Sequence, residues 1–460
     1  MAERRLDRAT VEVVKTAWSS LLQRYQEDPQ SNEPHWTDNE GDTGFLKDVD
    51  AINALIEPFL LSPISFIDPP LKLEEIRKRT ENLLKQVHAQ AEKGTEVDAA
   101  KPYRGFSAAP YPYIQLDIDF VDSASAVLRL ICNIAKLYTV QKQTIPQSLE
   151  KLMTSVASSA IDFLLEACIE DRNSARWSGF TKQIDPTGKF ANLFFTNNAA
   201  LSLQKAIETP ISRNWMDQTK YDQVGMILRK VVAWVAKLYE PATNGFWMEE
   251  SRTSMQTMGV LYALEVLYSL ADPLPAELRE KCAKALLSVM SRMTDLSKAS
   301  ALQRDFFHSL PMPTGPGSSS TFYDDRRYIG AFLSLFALAK AEDPDIVDDE
   351  AFHQACEVLF KGVSDEWIDE PSNLWDDGRP LICFTQDALL GLVKYGLEGK
   401  EDTVTLGESD LRFAIRDTLK SEEVVEAIFN VLLAKARTRK DKELTGKISG
   451  ISKVVEVGPQ

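Results

Sequence analysis

The chain has 460 residues, and its 52 Lys and Arg residues against 68 Asp and Glu residues give a formal net charge of −16. This acidity argues against a general nucleic-acid binder, because affinity for the phosphate backbone rests on clustered Lys and Arg side chains that displace counterions. Hydrophobic residues make up 44% of the chain, which is enough to bury a sizeable core.

The N-terminal residues, the short apolar runs and the scattered cysteines lead us to expect a cytoplasmic protein. The first residues are charged and lead into an amphipathic pattern, so no secretory signal is expected. No run reaches the roughly 18 consecutive apolar residues that span a bilayer. Five scattered cysteines and four histidines form neither a HExxH nor a CxxC motif, so the sequence predicts no metal and no other cofactor.

Residues 1–95 predict three helices, around Arg8 to Tyr25, Phe45 to Leu61 and Leu73 to Glu92. The polar stretch from Asp28 to Thr43 is expected to be a loop. We interpret this segment as an N-terminal helical cap, because the ends of a repeat domain need a polar outer face.

Residues 96–398 carry an internal repeat, in which a small or β-branched residue is followed four positions later by Leu within an apolar helix. The five copies are Ala126 to Leu130, Ala199 to Leu203, Val260 to Leu264, Ala331 to Leu335 and Ala388 to Leu392. An amphipathic helix and an irregular stretch rich in aromatic and acidic residues separate consecutive copies. The best strand candidate is Tyr111 to Phe120.

Such a unit cannot bury its own apolar face, so successive units must pack side by side around their inner helices. The sequence therefore predicts an all-α fold, either an αα-toroid or an αα-solenoid of about five helical-hairpin repeats. Residues 399–460 are expected to add a C-terminal helix, Ser409 to Ala436, and a tail.

The turn Gly245-Phe-Trp247, which leads into the Thr257-initiated, Leu-rich inner helix, resembles the repeat of squalene-hopene-type terpenoid cyclases and of protein prenyltransferase β-subunits. The resemblance implies the toroid fold. In class II cyclases an Asp-x-Asp-Asp motif supplies the proton, and the matching stretch here keeps the outer acids Asp119 and Asp122. Val121 occupies the donor position, and valine has no proton to give.

Acidic and aromatic side chains precede the inner segments and would gather at one mouth of the ring. If the protein is an enzyme, its candidate catalytic residues are Asp119, Asp122, Asp324, Asp325, Asp376 and Asp377. The candidate ligand- or partner-binding residues are Trp177, Asp185, Trp247, Glu249, Glu250, Tyr323 and Trp375.

Two functions remain open at this point. Because no catalytic motif is complete, the sequence favours a non-catalytic cytosolic adaptor that recognises a protein or a small ligand with its loop-bearing face, and that binds neither nucleic acid nor membrane. The alternative is a toroid enzyme that acts on a glycan, with paired carboxylates as acid and base, or on an isoprenoid. A deep, acid-lined axis favours the enzyme, whereas a plugged axis with an exposed apolar patch favours the adaptor.

Overall fold

The computed structural model describes residues 5–27, 34–36, 45–66, 68–93, 121–179, 185, 187–252, 257–271, 273–293, 329–342 and 382–398. The chain divides into a compact unit, Met1–Gly399, and a second unit, Lys400–Gln460. All described residues belong to the first unit. The strand predicted at Tyr111 to Phe120 and the helix predicted at Ser409 to Ala436 lie outside the described residues.

The described residues are mainly α-helical, as the sequence predicts. The helices are α1 Arg8–Gln23, α2 Phe45–Leu61, α3 Leu73–Lys93, α4 Val121–Val140, α5 Gln147–Ala167, α6 Leu193–Glu208, α7 Gln218–Lys237, α8 Thr257–Leu270, α9 Ala276–Met293, α10 Ile329–Glu342 and α11 Ile382–Glu398. A short 3₁₀ helix covers Pro210–Asn214. None of the helices in these ranges is both long enough and apolar enough to cross a membrane.

Six of these helices form a closed ring in the order α2, α4, α6, α8, α10 and α11, and α11 packs back against α2. The fold is therefore an αα-toroid rather than an open solenoid. The five copies of the predicted repeat lie in α4, α6, α8, α10 and α11, which confirms them as inner helices. Outer helices cover the ring: α5 packs on α4, α7 on α6 and α8, α9 on α8, and α1 on α2 and α11.

The sixth inner helix is α2, which the sequence interpretation placed in an N-terminal cap. In the structure α2 packs between α11 and α4 and completes the ring. Its sequence carries the repeat pattern too, with Ala51 followed four positions later by Leu55. The described part of the chain therefore has six inner helices where the pattern predicts about five.

Short antiparallel hairpins connect outer helices to inner helices. The strands are β1 Tyr25–Glu27, β2 Pro34–Trp36, β3 Ile169–Glu170, β4 Ala175–Arg176, β5 Tyr239–Glu240 and β6 Gly245–Phe246. They pair as β1 with β2, β3 with β4, and β5 with β6. The prediction of a loop across Asp28 to Thr43 is thus wrong at β2, since strands of two or three residues are too short to leave an alternating pattern.

Hydrogen bonds between repeats hold the N-terminal ends of the inner helices. The backbone N–H of Val121 donates to the carbonyl O of Gly179 at 3.1 Å, and that of Leu193 donates to the carbonyl O of Met248 at 2.8 Å. Each bond satisfies a donor that a helix start leaves without an intrahelical partner. The starts of α4 and α6 are therefore fixed against the loops that enter α6 and α8.

Two glycines set the contact between α10 and α11. A Cβ atom placed on Gly391 would overlap the carbonyl O of Gly330, and one placed on Gly330 would overlap the backbone of Ala388. The two helix backbones touch at this point, which explains why both positions are glycine.

We expect Gly391→Ala to lower the free energy of unfolding by about 1 to 3 kcal/mol, because the added methyl group must push two backbones apart. Gly225→Ala on α7 is the matched control, since its Cβ would meet only the Arg229 side chain at 4.0 Å. The control should gain about 0.5 to 1 kcal/mol from helix propensity. Urea unfolding of both variants checks the contrast, and equal stabilisation by the two substitutions would refute the backbone contact.

Candidate active site

Charged side chains project from the inner helices toward the ring axis. We call the following eight residues the central cluster: Asp50 and Glu57 on α2, Asp122 and Arg129 on α4, Lys205 on α6, Glu265 on α8, and Asp387 and Lys394 on α11. On each of α2, α4 and α11 the two members are seven residues apart. A spacing of seven places both side chains on one face of a helix.

Contacts between helices that are not neighbours show that this face points to the axis. Lys205 Nζ lies 3.1 Å from Glu57 Oε1, although α4 separates α6 from α2 in the ring. The charge of Lys394 on α11 likewise acts on Glu265 on α8, although α10 lies between their helices. Glu57 and Lys205 therefore meet across the ring, and Lys394 lies close enough to Glu265 for its charge to act on it.

The axis contains solvent-accessible space. Arg129 keeps 35% of its side-chain surface exposed and Lys205 keeps 32%, although both side chains face inward. Asp50, Asp122 and Asp387 are also only partly buried. We call this space, lined by the central cluster, the axial cavity.

Glu57 is the most buried member of the cluster, with 7% of its side chain exposed. Its Oε1 accepts hydrogen bonds from Asn133 Nδ2 at 2.8 Å and Lys205 Nζ at 3.1 Å, and its Oε2 accepts one from Gln386 Nε2 at 2.9 Å. Burial raises the pKa of Glu57, but the charges of Lys205 and Arg129 and the two amide bonds outweigh burial and hold the pKa below its usual range. Glu57 is therefore an ionised anchor that joins four of the inner helices.

Asp50 and Asp387 differ from Glu57 because no described residue donates a hydrogen bond to either carboxyl group. Burial is the largest influence on both. It raises the pKa of Asp50 to about 8, with Arg129 opposing the shift and Asp122, Asp387 and Glu57 adding to it. It raises the pKa of Asp387 to about 7, again against the charge of Arg129. Both carboxyl groups can therefore hold a proton near neutral pH.

Asp122 is the only catalytic candidate from the sequence that lies in the described residues. It sits in the first turn of α4, where it accepts a hydrogen bond from Asn198 Nδ2 at 2.7 Å. Burial raises its pKa, while the charge of Arg129 and the bond from Asn198 favour the ionised form. Val121, which occupies the donor position of the cyclase motif, is fully buried in the core.

Two of the predicted binding residues have structural contacts inside the fold. Trp177 is fully buried, and its Nε1 donates to the carbonyl O of Leu164 at 2.7 Å, so its ring offers no surface to a ligand. Asp185 is also buried, and its carboxylate accepts from the backbone N–H groups of Lys189 at 2.8 Å and Phe190 at 2.9 Å. Both residues stabilise the turn that enters α6.

Three further predicted binding residues keep accessible surface at the turn before α8. Trp247 Nε1 donates to Glu240 Oε2 at 3.2 Å. Glu250 Oε1 accepts from Trp234 Nε1 at 2.7 Å, and about half of the Glu250 side chain is exposed. Glu249 is partly buried. A binding role for these three stays a prediction.

The other predicted residues lie outside the described ranges. They are Asp119, Tyr323, Asp324, Asp325, Trp375, Asp376 and Asp377.

Possible metal ligands are dispersed among the described residues. His35 Nδ1 lies 2.7 Å from Asp48 Oδ2, and both side chains are buried outside the ring, between the first hairpin and α2. The side chains of Cys132, Cys168 and Cys282 are buried. Within the described ranges, no three His, Cys, Asp or Glu side chains are grouped in a way that could hold a metal ion.

Sequence reasoning missed most of the central cluster, although a signal was present. Charged residues seven positions apart interrupt helices that are otherwise apolar, as at Asp50 and Glu57, or Asp387 and Lys394. A charge on a buried helix face needs a partner, so it marks either an internal ion pair or a site.

Similar architecture occurs in proteins of known structure. Cellobiose 2-epimerase from Bacillus thermoamylovorans B4167 superposes with a TM-score of 0.51 at 10% identity, over 84% of this chain and 98% of that chain. D-mannose isomerase superposes with a TM-score of 0.50 at 9% identity, over 85% of this chain and 97% of that chain. A family 76 glycoside hydrolase from a bovine Bacteroides thetaiotaomicron strain gives 0.49 at 10% identity, over 85% and 78% of the respective chains.

The shared fold is the αα-toroid. At these identities the first two superpositions establish architecture and nothing finer. The resemblance to terpenoid cyclases that the repeat suggested reaches no further than this architecture. No protein-family model matches the sequence, and the search of curated proteins found no match.

Asp50 and Glu57, the two acids that α2 contributes to the central cluster, should affect stability in opposite directions. The pKa of Asp50 is raised on folding, so the native state binds more protons than the unfolded chain between about pH 4 and 8, and the free energy of unfolding falls as pH rises through that range. Asp50→Asn removes this penalty and should gain roughly 1 to 2 kcal/mol over wild type at pH 8, allowing for partial solvation.

Glu57→Gln should instead lose about 2 kcal/mol at pH 7, because Lys205 and Arg129 then face no anchored charge. The pKa of Glu57 is lowered on folding, so its contribution is present above the unfolded pKa and disappears as pH falls through the folded pKa. Urea unfolding from pH 4 to 8 measures both variants. A loss of stability in Asp50→Asn at pH 8 would contradict the assignment of a neutral carboxyl group there.

Proposed function

We propose that the protein is an enzyme that carries out acid–base chemistry on a carbohydrate in the axial cavity, with glycosidic bond hydrolysis as the reaction. The observation that carries the proposal is a pair of carboxyl groups, Asp50 and Asp387, that hold protons near neutral pH and have no hydrogen-bond donor among the described residues. Carboxyl groups used only for structure are normally bonded, as Glu57 is.

Each carboxyl group has a role that follows from its surroundings. Asp387, with a pKa of about 7, is the general acid that protonates the glycosidic oxygen, because an acid works best when its pKa lies near the operating pH. Asp122, held by Asn198, takes a proton from the water that attacks the anomeric carbon. Asp50 remains protonated and donates a hydrogen bond to a sugar hydroxyl group.

The architecture supports this function in two ways. The axis of the ring is lined with acids and retains solvent-accessible surface, which is the arrangement expected of a site for small polar ligands. The toroid is also shared with cellobiose 2-epimerase and D-mannose isomerase, whose names describe reactions on sugars. The hypothesis of an enzyme that acts on a glycan is therefore better supported than the hypothesis of a non-catalytic adaptor.

The test is turnover of a panel of nitrophenyl glycosides and short oligosaccharides, followed by product NMR. Asp387→Asn and Asp122→Asn should each lower kcat about 100-fold or more. In wild type, kcat should decline above about pH 7 as Asp387 loses its proton, and this decline should be absent in Asp387→Asn. Asp50→Asn should raise KM more than it lowers kcat.

Asp162→Asn on the outer helix α5 is the control, because Asp162 is about half exposed and pairs with Lys220 on the surface of the toroid. It should leave turnover unchanged. A folded double variant, Asp122→Asn with Asp387→Asn, that retains wild-type turnover would remove these residues from the mechanism. The same product spectra separate hydrolysis, which releases a new reducing end, from isomerisation, which does not.

A further inference from the structure

Arg129 projects into the axial cavity, and no described residue accepts a hydrogen bond from it. Its Nε is buried, and the nearest carboxylate oxygen of the described residues, Glu57 Oε1, lies 3.9 Å away. No described residue accepts a hydrogen bond from any nitrogen of this guanidinium group, yet 35% of the side chain is exposed. A guanidinium group has five donors in a rigid fork, and burying it without acceptors is costly.

Two arginines outside the cavity illustrate the contrast among the described residues. Arg176 donates to Asp171 Oδ2 at 2.8 Å, and Arg77 donates to Glu81 Oε1 at 2.9 Å. Four carboxyl groups act on the charge of Arg129, but among the described residues no hydrogen bond joins its guanidinium group to any of them.

The neighbouring acids balance part of the charge of Arg129, through the 3.9 Å ion pair with Glu57, but leave its hydrogen-bond donors unfilled. Glu57 accepts two hydrogen bonds at Oε1, from Lys205 and Asn133, and one at Oε2, from Gln386, but none from Arg129. Asp50 and Asp387 influence Arg129 only through space. A second cation, Lys394, faces the same cavity, and no described residue accepts a hydrogen bond from its amine.

We propose that Arg129 binds an anionic substituent of the sugar, so that the substrate of the axial cavity is an acidic carbohydrate rather than a neutral one. This inference rests on the proposed function. A planar carboxylate matches the guanidinium fork in a bidentate pair, and a phosphate or sulfate oxygen pair can do the same. The anion completes the hydrogen bonds that Arg129 lacks and leaves the sugar ring facing the carboxyl groups.

The experiment compares sugars that differ at C6, among which glucuronate and its amide differ mainly in charge. Binding of glucuronate, glucuronamide and glucose to the full-length protein is measured by calorimetry, with glucose 6-phosphate and glucose 6-sulfate as further arms. Glucuronate should bind about 10- to 100-fold more tightly than its neutral amide, as expected for charge-assisted hydrogen bonds. The phosphate and sulfate arms identify which anion the site prefers.

Arg129→Met should reduce the preference for the anion to less than about threefold while leaving the affinity for glucose unchanged. Arg129→Lys keeps the charge without the fork and should retain an intermediate preference, and it serves as the readout if Arg129→Met fails to fold. Lys151→Met is the control, since Lys151 is an exposed cation on the outer helix α5, away from the axis, and it should keep the full preference.

The outcomes separate the two proposals. Equal affinity for glucuronate and glucuronamide in wild type, or a preference that survives in folded Arg129→Met, would overturn the inference while leaving the proposed function standing. If neither charged nor neutral sugars bind and no glycoside is turned over, the proposed function itself fails. Selective binding of the anion that depends on Arg129 supports both.

Discussion

The carboxylate of Glu57 lies at the centre of the toroid and accepts hydrogen bonds from α4, α6 and α11 while belonging to α2. A buried ionised carboxylate is tolerated only when its oxygens accept hydrogen bonds and cations balance its charge. Its partners come from both sides of the ring, so the bond set can form only when the ring is closed. Closing the ring and placing charged groups on its axis therefore depend on each other, and the charged interior of the toroid follows from this dependence.

The same axis holds acids in two different states, and that difference connects stability to function. Glu57 has three donors and stays ionised, whereas Asp50 and Asp387 have none among the described residues and hold protons near neutral pH. Carboxyl groups in the second state cost the folded protein free energy above about pH 4, since burial opposes their ionisation. Arg129 without an acceptor adds to that cost. Groups that destabilise the fold and line a cavity are characteristic of sites selected for chemistry or binding.

The architecture could be predicted from the sequence, whereas most of the site could not, and the reasons are physical. Periodicity within one helix is local, so the five inner segments and the three N-terminal helices could be predicted. The helix α2 has the same pattern from Ala51 to Leu55, but its place in the ring depends on packing against α11, which is distant in the sequence. The partnership of Glu57 with Lys205 and Gln386 joins residues 148 and 329 positions apart, and no local pattern specifies it. The sequence predicted a binding role for Trp177 because an exposed aromatic residue on a turn and a buried one look the same in a sequence. The structure shows that its ring is buried and that its indole N–H donates to the carbonyl O of Leu164.

The central claim is that two carboxyl groups on the ring axis hold protons at neutral pH. It is tested most directly by a carbon-13 NMR titration of the aspartate side chains, with Asp50→Asn and Asp387→Asn used to assign the signals. The account predicts one carboxyl resonance that titrates near pH 8 and another near pH 7, and each should vanish in the corresponding variant. Aspartate resonances that all titrate below about pH 5, as unperturbed carboxyl groups do, would contradict it.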